Sequence, residues 1–242
     1  MRYGTILMGA VLLAGQALAA SIPAATYAGL AWGGGANPQL HLTAPGTADA
    51  GWGSTSISGS PSVEVLGTVD SAHRFFLGNA TLDYYFGITG PGATAPVDIS
   101  GHVLNQFGGG TAISSNNVDA RLSLFAGDEL IDQRCFQNFS ACAPGPGEFA
   151  GTMHEVLSTN TIYRIELWVR VQGSWSFGAA TTGHALVDGV QIGLGAVEGD
   201  PQAYSLSVSD GISNSSTSAT PEPTTLLLAA AALVVVLLRA RP

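Results

Sequence analysis

Apolar and polar residues alternate without a break over residues 163–171. Tyr163, Ile165, Leu167, Val169 and Val171 fall on one side, and Arg164, Glu166, Trp168 and Arg170 on the other. Successive side chains of a strand point to opposite faces, so this stretch predicts a strand with one face on a core and one toward water. The same period of two recurs at Leu82, Tyr84, Phe86 and Ile88, and at Val97, Ile99 and Val103, with Asp98, Ser100 and His102 opposite. Val63 and Val65, Leu122 and Leu124, and Tyr204, Leu206 and Val208 mark further strands. Turn chemistry separates them: Gly90-Pro91-Gly92, Gly108-Gly109-Gly110, Asn116-Asn117, Gly145-Pro146-Gly147 and Gly183. Inward parity shifts around Asp188-Gly189, which predicts an internal β-bulge. No interior stretch joins helical spacing to caps over ten residues; residues 127–133 (GDELIDQ) are expected to form one helical turn. Strands separated by Gly-rich turns predict an all-β body, a β-sandwich or jelly roll.

Composition narrows the class. Charged residues make up 10% of the 242 residues, lysine is absent, and the net charge is −9. A nucleic-acid binder needs a basic footprint that this chain lacks. A disordered acidic tail holds few apolar residues, whereas this chain has 46%. A polytopic membrane protein needs several apolar runs, and only the two ends supply any.

The ends read as signals. Arg2 supplies a short positive start, residues 6–15 an apolar stretch, and Ala17-Leu18-Ala19 a small-x-small cleavage site. That order predicts a signal peptide over residues 1–19, removed by signal peptidase so that the mature chain begins at Ala20 or close to it. Residues 213–220 form a polar linker ahead of Pro221-Glu222-Pro223. An unbroken apolar run over 226–238 follows, then Arg239 and Arg241. The prolines stop a helix from running back into the linker, and Pro223 suits a first helical turn. From Thr224 to Leu238 the helix would be roughly 22 Å long at 1.5 Å per residue. The arginines would snorkel to close the gap to a bilayer and hold this end in the cytoplasm as a membrane stop. Without Arg2, Arg239 and Arg241, five arginines stand against seventeen acids, a net charge of about −12. That acidity favours solubility outside the cell.

The tripartite end over residues 221–242 resembles the PEP-CTERM sorting signal of Gram-negative bacteria. The resemblance rests on Pro221-Glu222-Pro223, the apolar helix beside it and the terminal arginines. It implies an inner-membrane intermediate with the body in the periplasm. An exosortase, a membrane-embedded transpeptidase-like enzyme, would cut near the Pro-Glu-Pro and pass the body to the cell surface or extracellular matrix. Other tail-removal signals share the logic of polar spacer and discarded apolar tail. Residues 84–97 (YYFGITGPGATAPV) and 161–192 are also similar to β-sandwich bodies that carry this signal, although Gly189 stands where those bodies have a proline.

The interior between 20 and 212 offers little catalytic chemistry. Cys135 and Cys142 are the only cysteines, and oxidised they would staple a surface loop. The alternatives, a catalytic thiol or a metal pair, lack a neighbouring histidine in sequence and the Cys-x-x-Cys spacing. No G-x-S-x-G elbow occurs, and His154-Glu155 lacks the second histidine of a zinc helix. The Gly33-Gly34-Gly35 and Gly108-Gly109-Gly110 runs read as flexible loops. His41, His73, His102, His154 and His184 are far apart in sequence and are expected to scatter over the surface. Asp128, Glu129 and Asp132 read as a solvated turn rather than a calcium loop, whose spaced acids they lack. No cofactor and no metal is expected. The triplets at Asn79, Asn138 and Asn214 carry little meaning in a bacterial chain.

The leading expectation is a non-enzymatic exported matrix protein, in membrane contact only transiently and at both ends. The alternatives are a carbohydrate-binding module of the exopolysaccharide matrix and a secreted glycoside hydrolase with acids assembled in space. Trp32, Trp52, Trp168 and Trp175 are the aromatics that could stack on sugar, with Trp168 favoured because it lies on the polar side of its strand.

Overall fold

The computed structural model describes residues 21–109, 117–137, 142–144, 146–175, 179–196 and 201–214. The signal peptide with Ala17 and Ala19, the sorting motif Pro221-Glu222-Pro223, Arg239 and Arg241 lie outside the described residues.

The described body is all-β, and its one helix is a 3-10 turn at Pro201–Ala203. Its strands are β1 (Thr26–Trp32), β2 (Leu40–Leu42), β3 (Gly46–Asp49), β4 (Gly53–Ser58), β5 (Ser62–Val69), β6 (Phe75–Thr89) and β7 (Thr94–Gly109). They continue with β8 (Asn117–Ala126), β9 (Glu129–Gln137), β10 (Ala143–Pro144), β11 (Gly147–Ser158), β12 (Thr161–Ser174), β13 (Thr181–Leu194) and β14 (Ser205–Val208). One sheet runs β10-β9-β8-β12-β6-β1-β2, with β14 also on β6. The other runs β11-β7-β13-β5-β4-β3. All pairings are antiparallel except the short one between β10 and β9. The chain crosses between the sheets from β2 to β3, β5 to β6, β6 to β7, β7 to β8, β10 to β11, β11 to β12, β12 to β13 and β13 to β14. That order, β6-β12-β8-β9 facing β11-β7-β13-β5, is a jelly roll flanked by β1 to β4.

The alternating pattern decides which side of each strand is inside. Leu82, Tyr84, Phe86 and Ile88 of β6 are buried, as are Tyr163, Ile165, Leu167, Val169 and Val171 of β12. Val97, Ile99 and Val103 of β7, Val63 and Val65 of β5, and Leu122 and Leu124 of β8 complete the same core from both sheets. The bulge expected at Asp188-Gly189 is present. The β13–β7 register shifts between Asp188 and Gln191, and Gly189 takes φ +61°. The extra residue lets Val187 and then Val190 and Ile192 all point inward.

The helical turn expected over 127–133 is not there. Gly127-Asp128 forms a two-residue hairpin turn, Gly127 has φ +58°, and Glu129 onward is strand β9 paired to β8. Pairing along β8 satisfies the backbone of the whole segment, and the short helical pattern cannot compete with that.

Much of the glycine serves packing rather than turns. The ring of Phe76, fully buried, lies against Gly53, Gly67 and Gly78 from three strands. A methyl group at these positions would sit 2.4, 2.2 and 3.0 Å from ring atoms of Phe76. Tyr204 lies against Gly90 in the same way, and Phe136 against Gly147. Each bare backbone makes the slot for a neighbouring ring.

Candidate functional site

Three of the four tryptophans meet at one end of the sandwich. Trp32 ends β1, Trp52 precedes β4, and Trp175 follows β12, so topology brings all three to the start of β6. Trp32 meets Phe75 edge-on at 5.2 Å between ring centroids, and Trp52 lies tilted over His73 at 4.7 Å. The indole N–H of Trp52 donates to the Phe75 carbonyl at 3.0 Å. The Trp175 backbone N–H donates to the Arg74 carbonyl, and the Arg74 guanidinium sits 5.8 Å from the Trp175 ring. All of these rings keep part of their surface exposed. Gly33 and Gly34 are buried beneath them, against Trp52 and Phe75, while Gly35 is exposed in the turn, so this glycine run is the expected loop and two of its three residues also cradle the rings.

Asp70 shapes the same end. Its Oδ1 accepts backbone N–H bonds from Ala72 at 2.8 Å and His73 at 2.7 Å, and meets the His73 ring at 3.1 Å. The His73 backbone N–H, more than any other partner, holds the Asp70 carboxyl below its ordinary range. The turn presents partly exposed aromatic faces, a guanidinium and an imidazole–carboxylate pair together. Flat rings with polar groups at their rims are the chemistry that grips sugar rings.

Trp168 stands apart, on the outer face of the first sheet. It is flanked in register by Thr81 of β6 and Arg121 of β8, and the Arg121 guanidinium covers its ring at 4.8 Å. Arg121 also donates to Glu166 at 2.6 Å. Arg164 donates to Asp83 at 3.0 Å and Glu166 at 3.3 Å, and lies 4.1 Å from the centroid of Phe125. Burial pushes the Asp83 carboxyl up, against the pull of Arg164. This face is a closed net of arginine, acid and ring, and one side of Trp168 is already occupied within it.

The outer face of the second sheet is built from imidazoles instead. His184 of β13 meets Glu64 of β5 at 2.8 Å. His102 of β7 bridges Asp188 at 2.9 Å and Glu148 at 3.0 Å. His154 of β11 meets Asp98 of β7 at 2.8 Å. Three of the five histidines therefore share one face, in contrast to the expected scatter. Strand parity carried the signal: His102 is four residues from Asp98, and His184 four from Asp188, so each pair shares a side. Among the described residues no group of three or more His, Cys, Asp or Glu is arranged to hold a metal ion. Beside His184 lies an open hollow of about 460 Å³ lined by Leu66, Gln106, Phe107, Pro146 and Thr182.

The cysteines are joined, as the sequence suggests: Cys135 of β9 bonds Cys142, with 5.4 Å between Cα atoms. Of the acids at 128–132, Asp128 and Glu129 belong to the hairpin, whereas Asp132 reaches the other sheet. It accepts from Arg134 at 2.7 Å and shares a hydrogen bond with Glu155 of β11. Partial burial first, then the Asp132 charge, pushes the Glu155 carboxyl above its ordinary range.

No protein-family model matches this chain, and no curated protein does. Among solved structures, a carbohydrate-binding module named TmCBM61, described in complex with β-1,4-galactotriose, aligns over 62% of this chain and 88% of its own. The identity is 11% and the TM-score 0.26, and a likeness of that size carries no argument about this chain.

Proposed function

We propose that this chain is a non-enzymatic exported protein of the cell surface or extracellular polysaccharide matrix. It is held briefly in the inner membrane by its tail and then cut by an exosortase near Pro221-Glu222-Pro223. The observation that carries this reading is the tripartite end of the sequence: motif, apolar run and arginines. Two features of the body support it. A Cys135–Cys142 disulfide suits an oxidising compartment, and a lysine-free acidic surface suits a protein outside the cell. Intact-mass analysis of the extracellular protein should find Ala20 or Ser21 first and the tail after Pro223 missing. Recovery of only the full-length C-terminus from an exosortase-positive host would overturn the sorting reading.

A second reading concerns what the body holds once outside. The gathering of Trp32, Trp52 and Trp175 around His73, Arg74 and Phe75 favours binding of matrix polysaccharide at that end. Affinity electrophoresis in gels containing the host's exopolysaccharide tests it. Trp175→Ala should lose retardation and Trp168→Ala should keep it. The reverse pattern moves binding to the Trp168 face, and no retardation of the unmodified protein removes the sugar-binding reading.

A further inference from the structure

Three of the four sheet edges are short. β2 has 3 residues, β3 has 4 and β10 has 2. β10 covers only Phe136 and Gln137 of β9 and leaves residues 129–135 open, but β11 is the longest edge: 12 residues long, it ends its sheet and pairs with β7 alone among the described residues. A long strand edge presents unpaired backbone N–H and C=O groups and is a template for another strand.

The exposed side chains of this edge complement one another. On its outer side stand Glu148, Ala150, Thr152, His154 and Val156, preceded by Pro146. Glu148 is 61% exposed and His154 75%, the highest values among the ion-paired groups of this face. Val156, at 70%, is the most exposed large apolar residue described.

We propose that β11 docks a second copy of this chain edge to edge, antiparallel, with Gly151 on the two-fold axis. A symmetric antiparallel pair can only set residues of like parity opposite one another, because both must point their backbone groups across the seam. Of the registers left, centring on Gly151 sets Glu148 opposite His154 of the other copy, twice by symmetry. It also sets Val156 opposite Pro146, and Glu155 opposite Gly147 rather than a like charge. The ion pairs within each copy then join into one alternating series across the seam. Asp188, His102 and Glu148 of one copy lead to His154 and Asp98 of the other. A seam shifted by two residues sets Glu148 opposite Thr152 or Val156 and loses that alternation.

Cysteine trapping in the full chain, exported from its host, tests both the contact and its register. Residues 146 and 156 lie about 33 Å apart along one strand, beyond the reach of a disulfide within one copy, and replacing them leaves Glu148 and His154 in place. Opposite one another across a seam, they meet its Cα spacing. The double variant Pro146→Cys/Val156→Cys should form a covalent dimer under mild oxidation at least tenfold faster than Pro146→Cys/Ser158→Cys. Either single variant should trap no more than that control. All altered positions are exposed, so circular dichroism should show an unchanged fold. Equal trapping by both double variants overturns the register. The absence of any covalent dimer, with a monomeric mass for the unmodified body by native mass spectrometry, overturns the contact itself.

Discussion

Replacing Gly67 with alanine tests whether this chain's glycine makes room for rings. The new methyl carbon would sit 2.2 Å from Cδ1 and 2.6 Å from Cε1 of Phe76. Carbon atoms in contact rest at about 3.5–4.0 Å, so the ring must retreat by more than about 1 Å. It has little room, because Phe76 is fully buried. The void beside it, lined by Gly67, Val69, Phe107, Val118 and Thr181, is only about 10 Å³, near the space of one water. Overpacking of this kind costs about 1–3 kcal/mol. The smaller unfolded-state entropy of alanine offsets roughly 0.5–1 kcal/mol of that. A fully buried ring with so little space takes the upper half of the overpacking cost, so the net loss is about 1–2.5 kcal/mol, or roughly 2–10 °C in Tm for a domain of this size. Scanning calorimetry of Gly67→Ala, Phe76→Leu and the double variant completes a cycle. A smaller side chain at position 76 should absorb the methyl, so the double variant should exceed the additive value by about 1 kcal/mol or more. A Gly67→Ala protein with unchanged Tm, or a strictly additive cycle, would refute the argument.

Other outcomes follow from the edge of the sandwich. The Cys135–Cys142 bond closes a loop with a sequence separation of 7, which the chain-entropy relation converts to about 2.4 kcal/mol. Cys135→Ser/Cys142→Ser should therefore lower the denaturant-derived stability by about that amount; a loss under about 0.5 kcal/mol would show that other contacts hold the loop. The raised Glu155 carboxyl makes the folded protein bind more protons than the unfolded chain. Its contribution to stability thus falls as pH rises from the ordinary carboxylate range through the raised value, and stays low above it. Glu155→Gln should be more stable than the parent at neutral pH, with the difference vanishing below the ordinary range. Identical Tm–pH curves from pH 3 to 7 would count against the Asp132–Glu155 contact.

The sequence by itself determined the class of fold and the inside of each long strand. Parity is local information: a residue's side of a strand depends only on its place in the alternation, so Leu82 to Ile88 and Tyr163 to Val171 were legible before any pairing was known. The bulge at Gly189 was legible for the same reason, since a slip in parity marks an inserted residue. Strand β9 was not, because its pattern is weak near an edge and its conformation comes from pairing with β8. Tertiary structure alone decided which glycines face rings across the core, since Gly53 and Gly67 of the adjacent strands β4 and β5 meet Phe76 only because β6 of the other sheet faces them. It alone gathered Trp32, Trp52 and Trp175 at one end, where the expected aromatic, Trp168, does not join them. It also set His102, His154 and His184 beside their acids. Alternation says which way a side chain points but not what stands next to it, because neighbours across a sheet are set by strand order, and strand order by the packing of the whole core.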